Sequence, residues 1–427
     1  MTSQDLPDQF DTSRSGPQQL SRRSLLALAG PAAAGLVASG AMLAHVGRAY
    51  TAENRKKIRM GVVGGGFGAG FWWHEHPNCV VTGVTDLYPG RRAGLKNRYK
   101  CDRVYDSLEI MLKEAKDIDA VAVFSGAPDH AKHVKWCMER GWHTVSAVPA
   151  CMTVEEAAML KEVKEKTGMK YMMAESSYYN QECIYARNMF RAGGFGELFY
   201  SENEYYHQLF NLATVLTDKG QLCYDPGGKR SWRWGLPPML YPTHSLGYLV
   251  GVTKERVTKV SCLGWRGNRP DIRENPIVAD NVYKNPFWSE ASIMQTDQGH
   301  ICRCNVFWLC VAGGERAQWF GDKAALYMDK GGVHGSVEHT RQGAHPAKIP
   351  AYWKTDMLPQ QMRHESGHGG SAVFISAEFI NALLEEREPA IDLYESLAMT
   401  VPGIVAHQSA YKDGEQLAVP QFDRAKT

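Results

Sequence analysis

An apolar run that stops on glycines constrains this chain more than any other feature of it. Residues 57–63, Lys-Ile-Arg-Met-Gly-Val-Val, read as a short buried strand that enters Gly64-Gly65-Gly66-Phe67-Gly68-Ala69-Gly70. Gly64, Gly66 and Ala69 fit G-x-G-x-x-G/A. The first glycine of that pattern permits a tight turn, and the second lets a pyrophosphate approach the backbone. The small third residue lets a following helix pack on the strand, with phosphate on that helix's N-terminal N–H groups. Phe67 and Gly68 complete the expected cofactor loop. Residues 80–86 form a second apolar strand that ends in Asp86, where an acceptor for a ribose 2′-hydroxyl is expected. A carboxylate there repels a 2′-phosphate, which favours NAD over NADP; Arg91 and Arg92 close by temper that preference.

The alternation continues in units of strand and helix. Helical patterns cover Ser107–Ala115 and Ala131–Arg140, the second closed by Gly141, and apolar strands cover 120–124 and 143–147. Thr153 followed by Glu155 and Glu156 marks another helix start, with an N-cap and first-turn acids. Repeated βα units predict an α/β fold, here an N-terminal Rossmann doubly wound parallel sheet, with cofactor at the carboxyl ends of its strands. Farther on, 257–265, 291–297, 300–311 and 317–320 read as strands of one large, open, mostly antiparallel sheet in an α+β domain, with 285–288 in a loop between them.

Composition narrows the function classes. With 48 Lys+Arg against 46 Asp+Glu in 427 residues, nothing electrostatic points to nucleic acid or an anionic membrane surface. Ten cysteines are too sparse for a small disulfide scaffold, and 44% hydrophobic residues are enough for packed cores. The first 49 residues do not read as fold. Ser21-Arg22-Arg23-Ser24-Leu25-Leu26 precedes an apolar Ala/Gly-rich run that ends near Gly47-Arg48-Ala49. This resembles a twin-arginine export signal, which implies a passing partnership with the twin-arginine translocase and a periplasmic or otherwise exported protein. A retained membrane anchor is the alternative, against which Gly30, Pro31, Gly35 and Gly40 count.

Several polar residues carry candidate chemistry. Period two places Tyr205 and His207 on one face of a strand. His244 begins an apolar helix behind Tyr241-Pro242-Thr243, and Arg233 stands between Trp232 and Trp234. Tyr178 and Tyr179 open the second domain. His364-Glu365-Ser366-Gly367-His368 matches the zinc pattern H-E-x-x-H, but Gly367, Gly369 and Gly370 argue for a loop where that motif needs a continuous helix. No metal is expected. Cys302 and Cys304 read as buried strand thiols.

The order of these elements resembles the Gfo/Idh/MocA oxidoreductases across nearly the whole chain after the leader. Most of that family has Glu-Lys-Pro where this chain has Ala147-Val148-Pro149, and Asp-x-x-x-His where it has Leu240 to His244. The lysine and the aspartate are absent. One branch looks closer, the NAD-dependent glycosidases of glycoside hydrolase family 109, known for α-N-acetylgalactosaminidases. Its Val-Pro, Trp-Arg, Tyr-x-His and Tyr-Pro-Thr-His recur here as Val148-Pro149, Trp232-Arg233, Tyr205-Tyr206-His207 and Tyr241-Pro242-Thr243-His244. So do His368-Gly369-Gly370-Ser371, Ala390-Ile391-Asp392-Leu393-Tyr394 and Pro402-Gly403-Ile404. The chain departs from the branch at Ala147, where a Glu is usual. It also departs at Pro128-Asp129-His130-Ala131, in place of a Trp-rich cofactor loop, and at Glu175-Ser176, in place of Glu-Asn.

The resemblance implies His207, Tyr205, His244 and Tyr241 as catalytic residues. It implies cofactor contacts at Pro128, Asp129, His130, Ala147, Val148, Pro149 and Ser176. Substrate contacts fall on Tyr178, Tyr179, Tyr206, Arg233, Tyr241, Pro242, Thr243 and His244. The expected organisation is a leader 1–49, a Rossmann domain 57–175, a substrate domain 176–395 and a C-terminal helix and tail 396–427, the helix packed back on the first domain. A homo-oligomer is compatible with this organisation. The expected function is hydrolysis of a small-molecule glycoside through transient oxidation at C3, elimination across C1–C2, water addition and re-reduction. A sugar oxidoreductase with tightly held NAD(P) and a non-catalytic sugar-binding protein of the same fold are the alternatives.

Overall fold

The computed structural model describes residues 57–207, 223–329 and 335–424; the leader 1–49 lies outside them. The strands of the first half are β1 (Ile58–Val63), β2 (Cys79–Thr85), β3 (Val104–Tyr105), β4 (Ala120–Val123), β5 (His143–Ser146) and β6 (Tyr171–Met173). They pair in parallel in the order β3-β2-β1-β4-β5-β6. β4 is buried along its whole length, as parallel strands covered on both faces are. The order reverses between β1 and β4, and this is where a dinucleotide crevice opens. Ser107 and Thr153 cap their helices through Ile110 N and Glu156 N, as their positions predict.

One expectation fails. No α-helix follows the glycine loop, because the stretch before β2 holds only two three-residue 3₁₀ turns, Gly68–Gly70 and Trp73–Glu75. The face of β1 is covered instead by a helix from far along the chain, Ser371–Leu384. Trp72 N donates to Ser376 Oγ at 3.0 Å, His76 Nε2 meets Asn381 Oδ1 at 3.1 Å, and Trp73 sets its ring edge-on to Phe379. A segment expected in the substrate domain therefore completes the Rossmann layer.

The second half is built on β7 (Leu198–Tyr206), β8 (Val257–Trp265), β9 (Ser289–Thr296), β10 (Ile301–Phe307) and β11 (Gly314–Gly321). β12 (Ala324–Tyr327), β13 (Val337–Thr340), β14 (Gly343–Pro346) and β15 (Leu417–Ala418) extend it. Among the described residues the order is β14-β13-β12-β11-β7-β10-β9-β8-β15, with only β7 and β10 parallel. The helix Thr243–Thr253 lies on the inner face, and every residue of it up to Val252 is buried. Two glycines let it approach the Rossmann edge: a Cβ at Gly247 would stand 2.4 Å from Ser177 Oγ, and one at Gly251 would stand 2.9 Å from Tyr178 Cδ2.

A last helix, Leu393–Ala410, touches β6 and the helix Val154–Thr167 on one side and β8 and the helix Thr243–Thr253 on the other. It packs on both halves rather than on the first alone, and the tail beyond it adds β15 to the sheet edge instead of ending free. Buried Glu290 accepts from Met239 N at 2.7 Å and pairs with His407 Nδ1 of this helix at 2.7 Å, which fixes the turn before Tyr241. At Gly403 a Cβ would stand 2.3 Å from Met239 O and 2.4 Å from Pro242 Cγ. Gly403→Ala should therefore destabilise the protein by about 1–3 kcal/mol, the usual scale for overpacking. Thermal melts should show a lowered Tm, while Gly90→Ala, with nothing within 4 Å of the added methyl, should melt like the parent chain.

Candidate active site

The carboxyl ends of the Rossmann strands form a cradle of glycine and orphaned hydroxyls. Gly64 holds φ at +95°, and a Cβ there would stand 2.2 Å from Phe124 O, so only glycine makes this turn. The carboxylate of Asp86 accepts from Gly65 N at 2.6 Å and from Tyr88 N at 2.8 Å, which locks the loop to the end of β2. A carboxylate has further lone pairs to offer a ribose hydroxyl. The Arg91 guanidinium lies beside Gly66, 3.3 Å from where a Cβ would be. The hydroxyls of Thr85 and Ser176 are buried without a hydrogen-bond partner, as groups that await a polar ligand are. These residues fit a dinucleotide. Because no long helix follows the loop, its backbone N–H groups, rather than a helix N-terminus, would hold the phosphates of a bound dinucleotide.

Two of the expected cofactor contacts, His130 and Asp129, are otherwise engaged. His130 is buried with both ring nitrogens at carbonyls, Nδ1 to Pro149 O at 2.8 Å and Nε2 to Ser125 O at 2.9 Å, so it staples the β4 loop to the end of β5. Asp129 pairs with Lys132 at 2.6 Å at the surface, and Pro128 is exposed beside it. Ala147, Val148 and Pro149 are buried beneath the cradle, and the Val148–Pro149 peptide is cis.

The four expected catalytic residues come together. The Tyr205 ring lies 4.7 Å from the His244 ring, 5.7 Å from His207 and 6.1 Å from Tyr241, and Tyr241 lies 5.4 Å from His244. Trp308 closes one side, 6.0 Å from Tyr205 and 6.1 Å from Tyr241. Arg233 covers the other, its guanidinium 4.2 Å from the Trp232 ring and 5.4 Å from Tyr241.

The two histidines sit in opposite electrostatic settings. Burial, with the positive Arg233 and His244 nearby, pushes the His207 imidazole down to about 4. Its Nδ1 is buried without a partner. Burial also opposes charge on His244, but Glu175 at 2.8 Å from Nδ1 outweighs it, with help from Glu315, and the imidazole is raised to about 10. Glu175 has no exposed surface; burial would lift its carboxyl, yet His244 and the hydrogen bonds from His244 and Ser177 hold it below the usual carboxylate range. Burial lifts the Tyr205 phenol well above its ordinary value, so it keeps its proton.

Other expected substrate contacts lie elsewhere. Tyr206 points to the opposite face of the sheet from Tyr205 and stacks on Phe307 at 4.7 Å, as strand alternation requires. Tyr178 is buried under Arg187, 3.7 Å from its ring, against Gly251. Tyr179 stacks on Phe374 at 5.7 Å. Pro242 and Thr243 are buried and shape the turn, Pro242 against Gly403. Sequence reasoning missed Glu175 and Glu315 as partners of His244 and Trp308 as a wall. Glu175 was in view only as a departure at Glu175-Ser176, and a buried charge just ahead of a new domain was its one available signal. His364, from the zinc-like pattern, instead meets Glu75 at 2.6 Å and Trp72, and no group of metal ligands occurs among the described residues.

Residues 223–234 strap the two halves together across the cradle. Tyr88 Oη donates to Asp225 Oδ2 at 2.7 Å, and Trp232 presses on Gly126, where a Cβ would stand 2.7 Å from its Cδ1. Tyr88→Phe combined with Gly126→Ala should speed NAD release, measured as cofactor lost on gel filtration. The parent chain should keep its cofactor through the column and yield NAD(H), not NADP(H), on denaturation.

Residues 58–175 match the family model described as oxidoreductase family, NAD-binding Rossmann fold (Gfo/Idh/MocA), and residues 288–427 match the glycosyl hydrolase 109 C-terminal domain. A glycosyl hydrolase family 109 protein of Streptomyces filamentosus is 25% identical over 324 residues, which cover 73% of this chain and 64% of that protein. The chain thus spans somewhat less than two thirds of that relative. An alpha-N-acetylgalactosaminidase of Bacteroides fragilis is 36% identical over 134 residues, 31% of each chain. Among solved structures, levoglucosan dehydrogenase in complex with NADH and levoglucosan shares the fold, with TM-score 0.67 and 14% identity over 86% of this chain and 100% of that one. Residues 58–175 thus belong to the Gfo/Idh/MocA family of NAD-binding Rossmann domains and residues 288–427 to the glycosyl hydrolase 109 C-terminal domain family, and the chain is similar to glycosyl hydrolase family 109 proteins.

Proposed function

We propose that this chain is a redox-neutral, NAD-dependent glycosidase that acts on a small glycoside with a free C3 hydroxyl. The observation that carries this reading is the pairing of a neutral and a charged histidine around Tyr205 and Tyr241, at the carboxyl edge of the NAD-binding sheet. When bound, NAD supplies reversible hydride exchange with C3 of the sugar. The C3 carbinol loses a hydride, its hydroxyl proton passes to water, and the resulting ketone acidifies the proton on C2. Neutral His207 takes that proton. The C1–O bond breaks as a C1=C2 double bond forms, and the aglycone oxygen leaves with a proton from a phenol, Tyr205 or Tyr241. Water then adds its hydroxyl to C1 and gives its proton to the phenolate, and His207 returns its proton to C2. The ketone regains its hydride and proton. The sum is glycoside plus water to free sugar plus alcohol, with no net change of the cofactor.

His244, charged over the working range, donates to the oxygen on C3 as it gains negative charge. Arg233, held flat between Trp232 and Tyr241, offers its planar fork to sugar hydroxyls. Both carboxylates near the cluster, Glu175 and Glu315, are committed to one imidazole. That disfavours hydrolysis by a carboxylate acid and a carboxylate nucleophile facing each other across the sugar.

His207→Ala should lower turnover by roughly 10²-fold or more, the scale of a lost proton-transfer group, with NAD content unchanged. His364→Ala should retain most activity, and a chelator should have no effect. A panel of chromogenic glycosides of both anomers identifies the substrate. Turnover in D₂O should place deuterium at C2 of the product, and a 3-O-methyl glycoside should be inert. Hydrolysis of that blocked substrate at a normal rate would sink the redox mechanism. Oxidation of one sugar with reduction of another, and no hydrolysis, would convert the reading to a sugar oxidoreductase.

We further propose that the chain is exported folded, with its cofactor already strapped in, through the signal-like segment around Arg22-Arg23. A cofactor that is regenerated within each cycle needs no pool outside the cytoplasm. Replacing Arg22 and Arg23 by Lys should leave the protein in the cytoplasmic fraction; unchanged export would overturn this.

A further inference from the structure

His244 faces a second carboxylate, on a strand with no sequence relation to the first. β11 pairs with β7 so that Glu315 stands directly opposite Tyr205. Its Oε1 lies 3.8 Å from His244 Nδ1, and its side chain is 20% exposed. Its Oε2 accepts a hydrogen bond from Tyr248 Oη at 2.8 Å. Tyr248 follows His244 by one helical turn and is fully buried. One face of the helix Thr243–Thr253 therefore presents both the imidazole and the phenol that fixes Glu315 beside it. The neighbouring Arg316 points to the other face and pairs with Glu204, so it does not neutralise Glu315. Among the described residues, the ion-pair partner of Glu315 is His244.

We propose that Glu315 is a positioning residue of this site: with Glu175 it brackets the His244 imidazole between two carboxylates and holds it as a permanent hydrogen-bond donor, Nδ1 to Glu175 and Nε2 to the reacting sugar. The identity of that acceptor rests on the glycosidase reading; the bracketing of His244 does not. Two carboxylates at one imidazole repel each other, and the shared cation relieves that repulsion. Burial, and Glu175 at the same imidazole, lift the Glu315 carboxyl, while His244 pulls it back.

The groups that face His244 come from every element around it. Glu175 after β6 and Glu315 on β11 favour its proton. Tyr205 on β7 and Tyr248 within the helix are phenols that burial keeps protonated, and the ring of Tyr241 ahead of the helix faces it as well. Arg233 on the strap, His207 at the end of β7 and His368 ahead of the helix Ser371–Leu384 oppose added positive charge or avoid it themselves. The sign follows from the two carboxylates being nearest. Because His244 is raised above its unfolded value, the stability it adds is full below pH 6.5 and is lost as pH rises through about 10. A histidine so held cannot serve as a base near neutral pH, which leaves proton abstraction to His207.

The test is to follow the His244 ring by NMR in NAD-loaded protein labelled with ¹⁵N-histidine, with His244→Gln to assign the signal. In the parent chain the ring should stay doubly protonated through pH 8. Glu315→Gln should lower its midpoint by about 1 or more on the pH scale, the usual effect of one charge at this distance, and Glu315→Asp should restore part of the change. The basic limb of the kcat/KM profile should move down by a matching amount. A merely structural Glu315 would lower Tm or kcat without moving either midpoint. If Glu315→Gln does not fold, Tyr248→Phe, which frees the carboxylate, should still shift the midpoint. A parent His244 that titrates near 6.5, or a midpoint unmoved in the folded variants, would overturn the proposal. A shifted midpoint in a protein that hydrolyses no glycoside would leave it standing and remove the glycosidase reading instead.

Discussion

A carboxylate with no access to water cannot be left alone, and Glu175 is such a group. It follows the last Rossmann strand by two residues, and its charge is met by His244 on a helix of the other half. Breaking a buried pair by removing one partner typically costs about 3–5 kcal/mol, so this contact fixes how the two halves meet. The helix that carries His244 can come close enough only because Gly247 and Gly251 present no side chain to Ser177 and Tyr178. Once it is seated, the sheet behind it brings Tyr205 and Glu315 to the same imidazole.

Two further contacts hold the site from the far side. Glu290 fixes Met239 N and reaches His407 on the helix Leu393–Ala410. That helix also leans on β6 and the helix Val154–Thr167, so the turn bearing Tyr241 is positioned by the same element that closes the Rossmann edge. On the cofactor side, the helix Ser371–Leu384 fills the place that a short loop leaves empty on β1. The cluster of Tyr205, His207, Tyr241 and His244 and the nucleotide cradle are thus tied to each other by elements from the end of the chain.

The cluster separates a neutral from a charged imidazole by environment rather than by residue type. His207 and His244 are the same side chain. One is pressed neutral by burial and by the charge of Arg233 and His244, and the other is kept charged by two carboxylates. Titratable groups whose surroundings push them apart are the arrangement that lets proton donation and removal proceed at one pH. The strap through Asp225 and Trp232 meets the cradle's rim at Tyr88 and Gly126.

What lay within a few residues was legible in the sequence. The turn at Gly64, the caps at Ser107 and Thr153, the parallel core strands and the shared face of Tyr205 and His207 follow from local geometry and periodicity. The same period, applied one residue on, would have placed Tyr206 on the outer face, and the shortness of residues 64–78 would have argued against a helix there. The roles of His130, Tyr178 and Tyr179 were not legible. Each depends on which distant group packs against it: the carbonyls of Ser125 and Pro149, then Gly251, then Phe374. Likewise nothing local joins Glu175, His244 and Glu315, which stand on three separate elements. The sequence alone determined a dinucleotide-binding sheet and named four residues that meet beside it. The charge each carries was decided only by the tertiary structure, because electrostatic coupling depends on distance and burial in space and not on separation along the chain.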